Sequence, residues 1–491
     1  MTNQTQSSVA EDVKVYKQFI NGEFVDTNSG SYYDVINPCT EEVLSQVANG
    51  DAEDARLALE AARNSQDAWA KLAACERAGY LKEMARITRE NRVELATILA
   101  KEQAKILPLA QVEIDVTAEY FDYNAGWARR VEGEIIQSDN PKENIYLYKM
   151  PIGVTVGICP WNFPFFVMAR KVAPALVTGN TSVIKPSSFA PNTIMRFVEL
   201  IQGIGLPKGV LNVICGWGSD CGHALASSPI TGLVSLTGSV EAGEKVMAAC
   251  APNITKVNLE LGGKAPAIVC EDADLELAVT AIVNSRVIYS GQVCNCAERV
   301  YVHEDVYEQF MEMLVKRMSE VKVGDALAED TPDMSSQISL QQLEKIEAMV
   351  ARAVEEGCEV LTGGARDDRF ETGFFFQPTV LANCRQEMEV IQKEVFGPVL
   401  PVVKVKDFDE AIALANDSEY GLTSSVYTQD ANKAMKAVNE IKFGETYINR
   451  HNFEAIQGFH AGWRKSGIGG ADGKHGMEEY LQTRMIYWER H

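Results

Sequence analysis

Two short stretches carry residue types suited to covalent chemistry. Residues 289–299 read YSGQVCNCAER and set the thiol of Cys294 just after a Gly-Gln turn. A nucleophile must be held by rigid structure while its sulfur stays reachable, and a turn leaving a packed helix, here the apolar run AVTAIVNSRVI, meets both needs. Residues 259–264 read LELGGK, an acidic side chain ending a strand-like run before two glycines, so Glu260 is a candidate base for Cys294 or for an attacking water. Each signal is weak in isolation. A lone Cys is more often a small buried hydrophobe, and Glu-Leu-Gly-Gly is more often a strand end and turn.

Both stretches fall within a strand–helix–strand rhythm. Between residues 154 and 270 the runs VTVGICP, TSVIKPS, LNVICG, GLVSLTG and TKVNLELGG alternate with amphipathic segments, predicting helices over 164–176 and 193–204 and a mostly parallel sheet covered by helices. A second series starts at PAIVC with a helix from Leu275 and continues through RVYVHEDVYEQF, QLEKIEAMVARAVEEGCEVLTGG and PVLPVVKVKDFDEAIALAND. Residues 260–264 thus sit at the hinge between two α/β domains, where ligands bind in crevices. CGWGSDCG at 215–222 and TGSVEAG at 237–243 mark strand-to-helix turns whose amides could approach a phosphate. Neither is a regular G-x-G-x-x-G, and ordinary helix-entry turns explain them equally well. Lys185, at the strand end IKPSS, is the basic residue best placed to reach a ribose or phosphate.

On the N-terminal side, residues 1–12 are polar and expected to fray, and KQFINGEFVD carries Asn21-Gly22 between two strand-like runs, a hairpin signal. From 51 to 110 the pattern becomes long amphipathic helices, with Asp51 and Asp54 placed as a helix start. A third, aromatic-rich helix is expected over 113–132. NIYLYKMPIG predicts a strand ending near Pro151, and YLQTRMIYWER at the C-terminus alternates in the same way. Edge strands so far apart need partners, in each other or in another subunit, and are read as an oligomerisation element.

The 491 residues are 46% hydrophobic and 23% charged, the composition of an ordinary globular chain with room for two or three domains. With 68 acidic against 46 basic residues, a formal charge of -22 and no basic block, nucleic-acid binding is not expected. The eleven cysteines are scattered, no signal peptide opens MTNQTQSSVAEDVKVYKQ and no apolar run spans a bilayer, so the expectation is a cytoplasmic protein with free thiols, no membrane partner and no metal site.

Several stretches together carry a family signature: PWNFP at 160–164, IKPS at 184–187, TGS at 237–239, ELGGK at 260–264, GQVC at 291–294 and EVFGP at 394–398. In order and spacing they resemble the NAD(P)-dependent aldehyde dehydrogenase superfamily over almost the whole chain. That resemblance implies a Rossmann-like cofactor domain (12–137 and 152–261), an α/β catalytic domain (262–445), a small β oligomerisation element (138–151 and 479–491) and a domain-crossing segment lining the substrate site (446–478). It implies Cys294 as nucleophile, Glu260 as general base able to hold a proton transiently, and Asn162 with the Cys294 amide as oxyanion hole. Lys185 and Glu394 are implied at the cofactor ribose, Phe396 beside the nicotinamide, and Gly238 with Ser239 at the pyrophosphate. The implied assembly is a homotetramer. An inactive cofactor-binding scaffold is the remote alternative, since all three reactive positions are intact.

Within the superfamily, residues 292–299 and NFEAIQGFHAGWRKSGIGG at 452–470 look like the lactaldehyde and glycolaldehyde dehydrogenase group. That implies a short 2-hydroxyaldehyde substrate, with Arg170, Asn295, Glu454 and His460 at the polar end of the tunnel. Arg170 also resembles succinate-semialdehyde enzymes, so an anionic aldehyde (succinate semialdehyde, or a phosphorylated or sulfonated three-carbon aldehyde) is the alternative, with Glu454 partly offsetting the positive charge. NAD is the expected cofactor. Three departures qualify the match. Ser188 stands where many NAD-preferring relatives carry a ribose-binding Glu, which admits NADP. DMSSQI at 333–338 replaces a Gly-Pro-Leu/Met turn and is expected to touch no catalytic role, and Cys296 lies close enough in sequence to trap Cys294 as a strained disulfide.

Overall fold

The computed structural model describes residues 13–491, so the expectation for residues 1–12 falls outside the described residues. The hairpin signal is realised as strands Gln18–Ile20 and Glu23–Val25 joined by Asn21 and Gly22, at φ 54° and 79°, the left-handed pair that a two-residue hairpin turn demands. Helix Ala52–Lys71 opens with a reciprocal cap. The Asp51 side chain accepts from the amides of Glu53 (2.8 Å) and Asp54 (3.1 Å), and Asp54 accepts from the Asp51 amide (3.0 Å). The aromatic-rich helix is Leu107–Ala125, beginning six residues before its expected start because Pro108 lies in its first turn, where a missing N–H costs nothing. It also stops earlier than expected, passing into the 3-10 turn Gly126–Arg129.

Two large sheets carry the chemistry. The first runs in the order Gly467–Ile468, Lys256–Glu260, Thr231–Thr237, Val154–Ile158, Thr181–Lys185, Leu211–Val213, Gln18–Ile20 and Glu23–Val25, its middle five strands parallel. These strands are apolar runs because helices cover both faces, and all five residues of Thr181–Lys185 are buried. The order reverses between Val154–Ile158 and Thr231–Thr237, and a crevice opens beyond the carboxyl ends of the two strands flanking such a reversal. Asn162 and Gly238 follow those two ends.

The second sheet runs Glu359–Thr362, Thr379–Ala382, Val399–Val405, Arg299–His303, Pro266–Val269, Thr423–Tyr427 and Glu445–Ile448. Strand Lys256–Glu260 of the first sheet leads through two glycines into Pro266–Val269 of the second, so residues 260–264 bridge the sheets. The alternating stretches near 150 and at the C-terminus pair with each other within one chain, Glu143–Pro151 against Leu481–Glu489 in an unbroken antiparallel register. A third strand, Glu134–Gln137, joins them. It was not expected, since EIIQ is too short to show alternation, and it begins the small sheet before residue 138. Among the described residues no helix is long and apolar enough to cross a membrane.

Candidate active site

Cys294 is seated by a turn that the chain would not adopt unaided. Helix Leu275–Val287 runs into the short turn Ile288–Gly291, where Tyr289, Ser290 and Gly291 take φ of 45°, 55° and 77°. A side chain at Gly291 would meet the Gly397 backbone at 2.3 Å. Left-handed backbone at two non-glycine residues persists only where surroundings enforce it. Here the Tyr289 hydroxyl donates to Gln103 O (2.9 Å), the Ser290 hydroxyl to Ser335 O (2.7 Å), Gln337 Nε2 to Ser290 O (3.3 Å) and the Ile338 amide to Gln292 Oε1 (2.9 Å). The DMSSQI segment is therefore a brace of the turn that carries Cys294. The buried thiol of Cys296 donates to Val293 O at 2.8 Å and is pushed up to about 12 by burial, while Cys294 stays half-exposed, and both are free thiols. In this structure Cys296 helps fasten the turn.

Asn162 is held over the same turn. Its Nδ2 donates to Gln292 O (3.0 Å) and its Oδ1 accepts from the Phe163 amide (3.0 Å), which leaves one Nδ2–H for a ligand. The Asn162 carbonyl accepts from Lys105 Nζ (2.5 Å) and Gln103 Nε2 (3.2 Å). Lys105 is fully buried, paired with Glu113 and packed over the ring of Phe163 at 3.6 Å. Glu113 in turn accepts from the amides of Phe165 (3.0 Å) and Phe166 (3.2 Å), the first turn of helix Pro164–Val177.

Glu260 ends its strand with Oε2 accepting from the Thr237 hydroxyl (2.6 Å), which itself accepts from Lys171 Nζ (3.0 Å). Its Oε1 is buried without a partner. Burial raises the carboxyl, but Lys171, Arg170 and His460 outweigh it and hold Glu260 below the usual carboxylate range. The resting side chain is therefore an ionised acceptor, the form a general base needs.

Two cavities meet at Cys294, Asn162, Thr237 and His460. One, of about 360 Å³, is lined by Lys185, Ser188, Gly238, Ser239, Glu394 and Phe396, so the structure gathers all six expected cofactor residues. Lys185 is 4% exposed, yet among the described residues its ammonium finds a single acceptor, Pro186 O at 3.2 Å, leaving donors for a ligand. Glu394 accepts from the Gly263 amide (2.8 Å) and is pushed up to about 7 by burial and by Glu298. Ser239 caps helix Val240–Cys250, accepting from the Ala242 amide at 3.2 Å, and Phe396 stands edge-on to Trp161, ring centroids 5.4 Å apart. A buried ammonium, a carboxylate and a helix start in one crevice fit a sugar–phosphate ligand such as a dinucleotide.

The other cavity, of about 350 Å³, is lined by Arg170, Asn295, Glu454 and His460. Arg170 is not a free cation. Its Nε donates to Asp472 Oδ1 (3.0 Å) and its Nη2 to Asp472 Oδ2 and to Glu454 Oε1 (2.9 Å). Asn295 donates to the other Glu454 oxygen (2.5 Å), and His460 Nδ1 pairs with Glu445 Oε1 (2.5 Å). Burial opposes charge on His460, but Glu445, contact with Cys294 and Glu454 more than reverse it, holding the ring well above the usual imidazole range.

Sequence reasoning missed Asp472 and Glu298. Glu298, inside the nucleophile stretch, accepts from Lys264 Nζ (2.6 Å), pairs with Arg286 (2.8 Å) and accepts from the amides of Val395 (3.1 Å) and Phe396 (3.0 Å). Burial opposes its charge, but Arg286 and Lys264 prevail and lower it to about 2. A signal existed in each case: Glu298 follows Cys294 closely in the quoted motif, and Asp472 is an acid set in the glycine-rich run GIGGADG.

Residues 24–486 match the model of the aldehyde dehydrogenase family. The chain is 56% identical to lactaldehyde dehydrogenase of Escherichia coli over 96% of its own length and 98% of that protein's. A crystal structure of the E. coli enzyme superposes with a TM-score of 0.96 at 55% identity, covering 98% of this chain and all of that one (100%). It is 43% identical to 3,6-anhydro-alpha-L-galactose dehydrogenase of Vibrio sp., covering 97% of this chain and 99% of that protein. Betaine aldehyde dehydrogenase of Staphylococcus aureus, solved with NAD+, superposes with a TM-score of 0.95 at 38% identity, with 96% and 95% of the two chains covered.

Because Glu298 lies at about 2 when folded against ~4.3 unfolded, its contribution is whole above the unfolded value and is lost as pH falls from there towards the folded one. Glu298→Gln is expected to cost ~3 kcal/mol at about pH 7. Urea titrations check this: the gap between wild type and variant should be wide at about pH 7 and narrow at about pH 3. An equal gap at both would mean that the charge of Glu298 is not what stabilises the fold.

Proposed function

The chain belongs to the aldehyde dehydrogenase family, and from that premise we propose that it oxidises a short 2-hydroxyaldehyde, lactaldehyde or glycolaldehyde, to its carboxylic acid with NAD(P). Cys294 attacks the carbonyl carbon, and the developing oxyanion accepts from the Cys294 amide and the spare Nδ2–H of Asn162. Losing one such donor typically costs ~3 kcal/mol in the barrier. Protonated His460, in contact with Cys294, favours the thiolate electrostatically. Lys185 and Glu394 would hold the cofactor ribose, Gly238 and Ser239 its pyrophosphate and Phe396 the nicotinamide, and the bound cofactor would supply the hydride acceptor. A thioester on Cys294 then remains. Ionised Glu260, whose Oε1 has no protein partner, takes a proton from the water that releases the acid. NAD is favoured, and the Ser188 hydroxyl, which carries no charge to repel a 2'-phosphate, admits NADP.

One observation carries the choice of substrate: Arg170 is already bound by Asp472 and Glu454. The polar end of the cavity thus offers hydroxyl-sized donors and acceptors without an unpaired cation, which supports a neutral hydroxyaldehyde over the anionic alternative. A site built to bond a hydroxyl rejects the analogue lacking it, because its buried polar groups go unpaired. Glycolaldehyde and lactaldehyde should exceed propionaldehyde in kcat/KM by about tenfold or more, and His460→Ala should shrink that ratio. Equal kcat/KM for all three would contradict the reading. Cofactor binding without turnover on any aldehyde would favour an inactive scaffold.

The assembly reading follows from the small sheet. Ile135 is 80% exposed and Trp488 62%, on strands whose outer edges have no partner among the described residues. A homotetramer of dimers joined through these edges covers both. Light scattering of the intact chain should give a tetramer, and a monomer at assay concentration would contradict it.

A further inference from the structure

At the polar end of the substrate-side cavity Arg170 is bound by two carboxylates, Asp472 and Glu454, and of these two Glu454 lines the cavity. Asp472 lies behind Arg170, with its side chain fully buried, and takes the Nε/Nη2 edge of the guanidinium, the edge with which arginine grips carboxylates. Glu454, at 20% exposure, takes the remaining hydrogen of Nη2 from the cavity side. Nη1 is then the nitrogen without a hydrogen-bond partner among the described residues, and the guanidinium rests over the Phe166 ring at 4.5 Å. The position of Asp472 is enforced. Its φ is 70°, rare for a residue with a side chain, and the flanking backbone is tied down by reciprocal bonds between Ala471 and His460 (2.8 and 2.9 Å) and by the Gly473 amide to Ile456 O (2.9 Å). The ties that hold His460 and the Glu454 loop therefore also hold Asp472 on Arg170.

We propose that Asp472 is a specificity-determining positioning residue: by occupying the fork of Arg170 and adding a second negative charge beside Glu454, it bars anionic aldehydes from this cavity. The inference rests on the hydroxyaldehyde reading above and deepens it. With Asp472 in place the three side chains sum to one net negative charge. An incoming carboxylate meets repulsion and no free fork, whereas a hydroxyl needs just the Nη1 donor and a Glu454 oxygen. Neutralising Asp472 leaves Arg170 balanced by Glu454 alone and removes the repulsion from a site of low dielectric, where one charge matters most.

Succinate semialdehyde and its methyl ester, one chain with and without a charge, test this on the intact enzyme. Wild type should favour the ester by about tenfold or more in kcat/KM, and Asp472→Asn should cut that preference about tenfold, mainly through a lower KM for the anion. A variant slowed equally on both substrates would make Asp472 merely structural and overturn the proposal. Should Asp472→Asn not fold, the apolar pair Arg170→Met with Asp472→Leu removes one charge of each sign, a replacement that buried ion pairs often tolerate. Its ester preference should fall below that of Arg170→Met, which keeps Asp472, and an equal or larger preference would overturn the proposal. The hydroxyaldehyde reading fails separately, on wild type alone, if glycolaldehyde is no better a substrate than propionaldehyde.

Discussion

The buried carboxylate of Glu298 is the point on which the rest of the site depends. It ties together four separate segments of the chain: Lys264 beyond Glu260, Arg286 at the end of the helix that leads to Cys294, its own strand entry just past Cys294, and the amides of Val395 and Phe396 beside Glu394. Burying one anion with two cations is costly, and such a network is weak evidence for added stability. Its value is positional. Arg286 also donates to Ala297 O at 2.9 Å and to Gly291 O, so the same cluster clamps both ends of the turn that presents Cys294. A covalent mechanism needs nucleophile, base and cofactor placed to within a fraction of an ångström, and a buried charge cluster that joins these segments provides that tolerance.

The same solution recurs around it. Lys105 and Glu113 fix the Asn162 carbonyl and the start of helix Pro164–Val177, so the oxyanion donor is aimed by a buried ion pair. Lys171, bonded to Thr237, keeps Glu260 ionised, and Arg170 is neutralised by Asp472 and Glu454. Each charge in the pocket is thus assigned a partner, except where a ligand must be met. Among the described residues Glu260 Oε1, the ammonium of Lys185 and Nη1 of Arg170 keep bonding capacity for a ligand.

Much of this is legible in the chain, for physical reasons. Parallel strands buried on both faces read as apolar runs, which is why Val154–Ile158 through Lys256–Glu260 fall where the alternation predicts. The cap at Asp51 and the turn at Asn21-Gly22 are local and declare themselves. What escapes is whatever depends on distant partners. Asp472 lies 302 residues from Arg170, and Ser335 and Gln337 brace a turn more than 40 positions earlier, so neither spacing nor periodicity points to them. The seat of Cys296 also depends on folding: its thiol turns inward to the Val293 carbonyl, which its position two residues after Cys294 does not reveal. Pairing of the two edge strands is legible from their alternation, whereas the third strand, Glu134–Gln137, is too short to announce itself.

The central claim is that oxidation passes through an acyl group carried by Cys294 and released by Glu260. Rapid acid quench of the enzyme with glycolaldehyde and NAD, followed by peptide mass spectrometry, tests it most directly, with Glu260→Gln used to slow release. The account predicts an acyl adduct on the Cys294 peptide that requires NAD and accumulates in Glu260→Gln beyond the wild-type level. Acid product formed at the wild-type rate by Cys294→Ala, or an NAD-dependent adduct on another thiol, would contradict it.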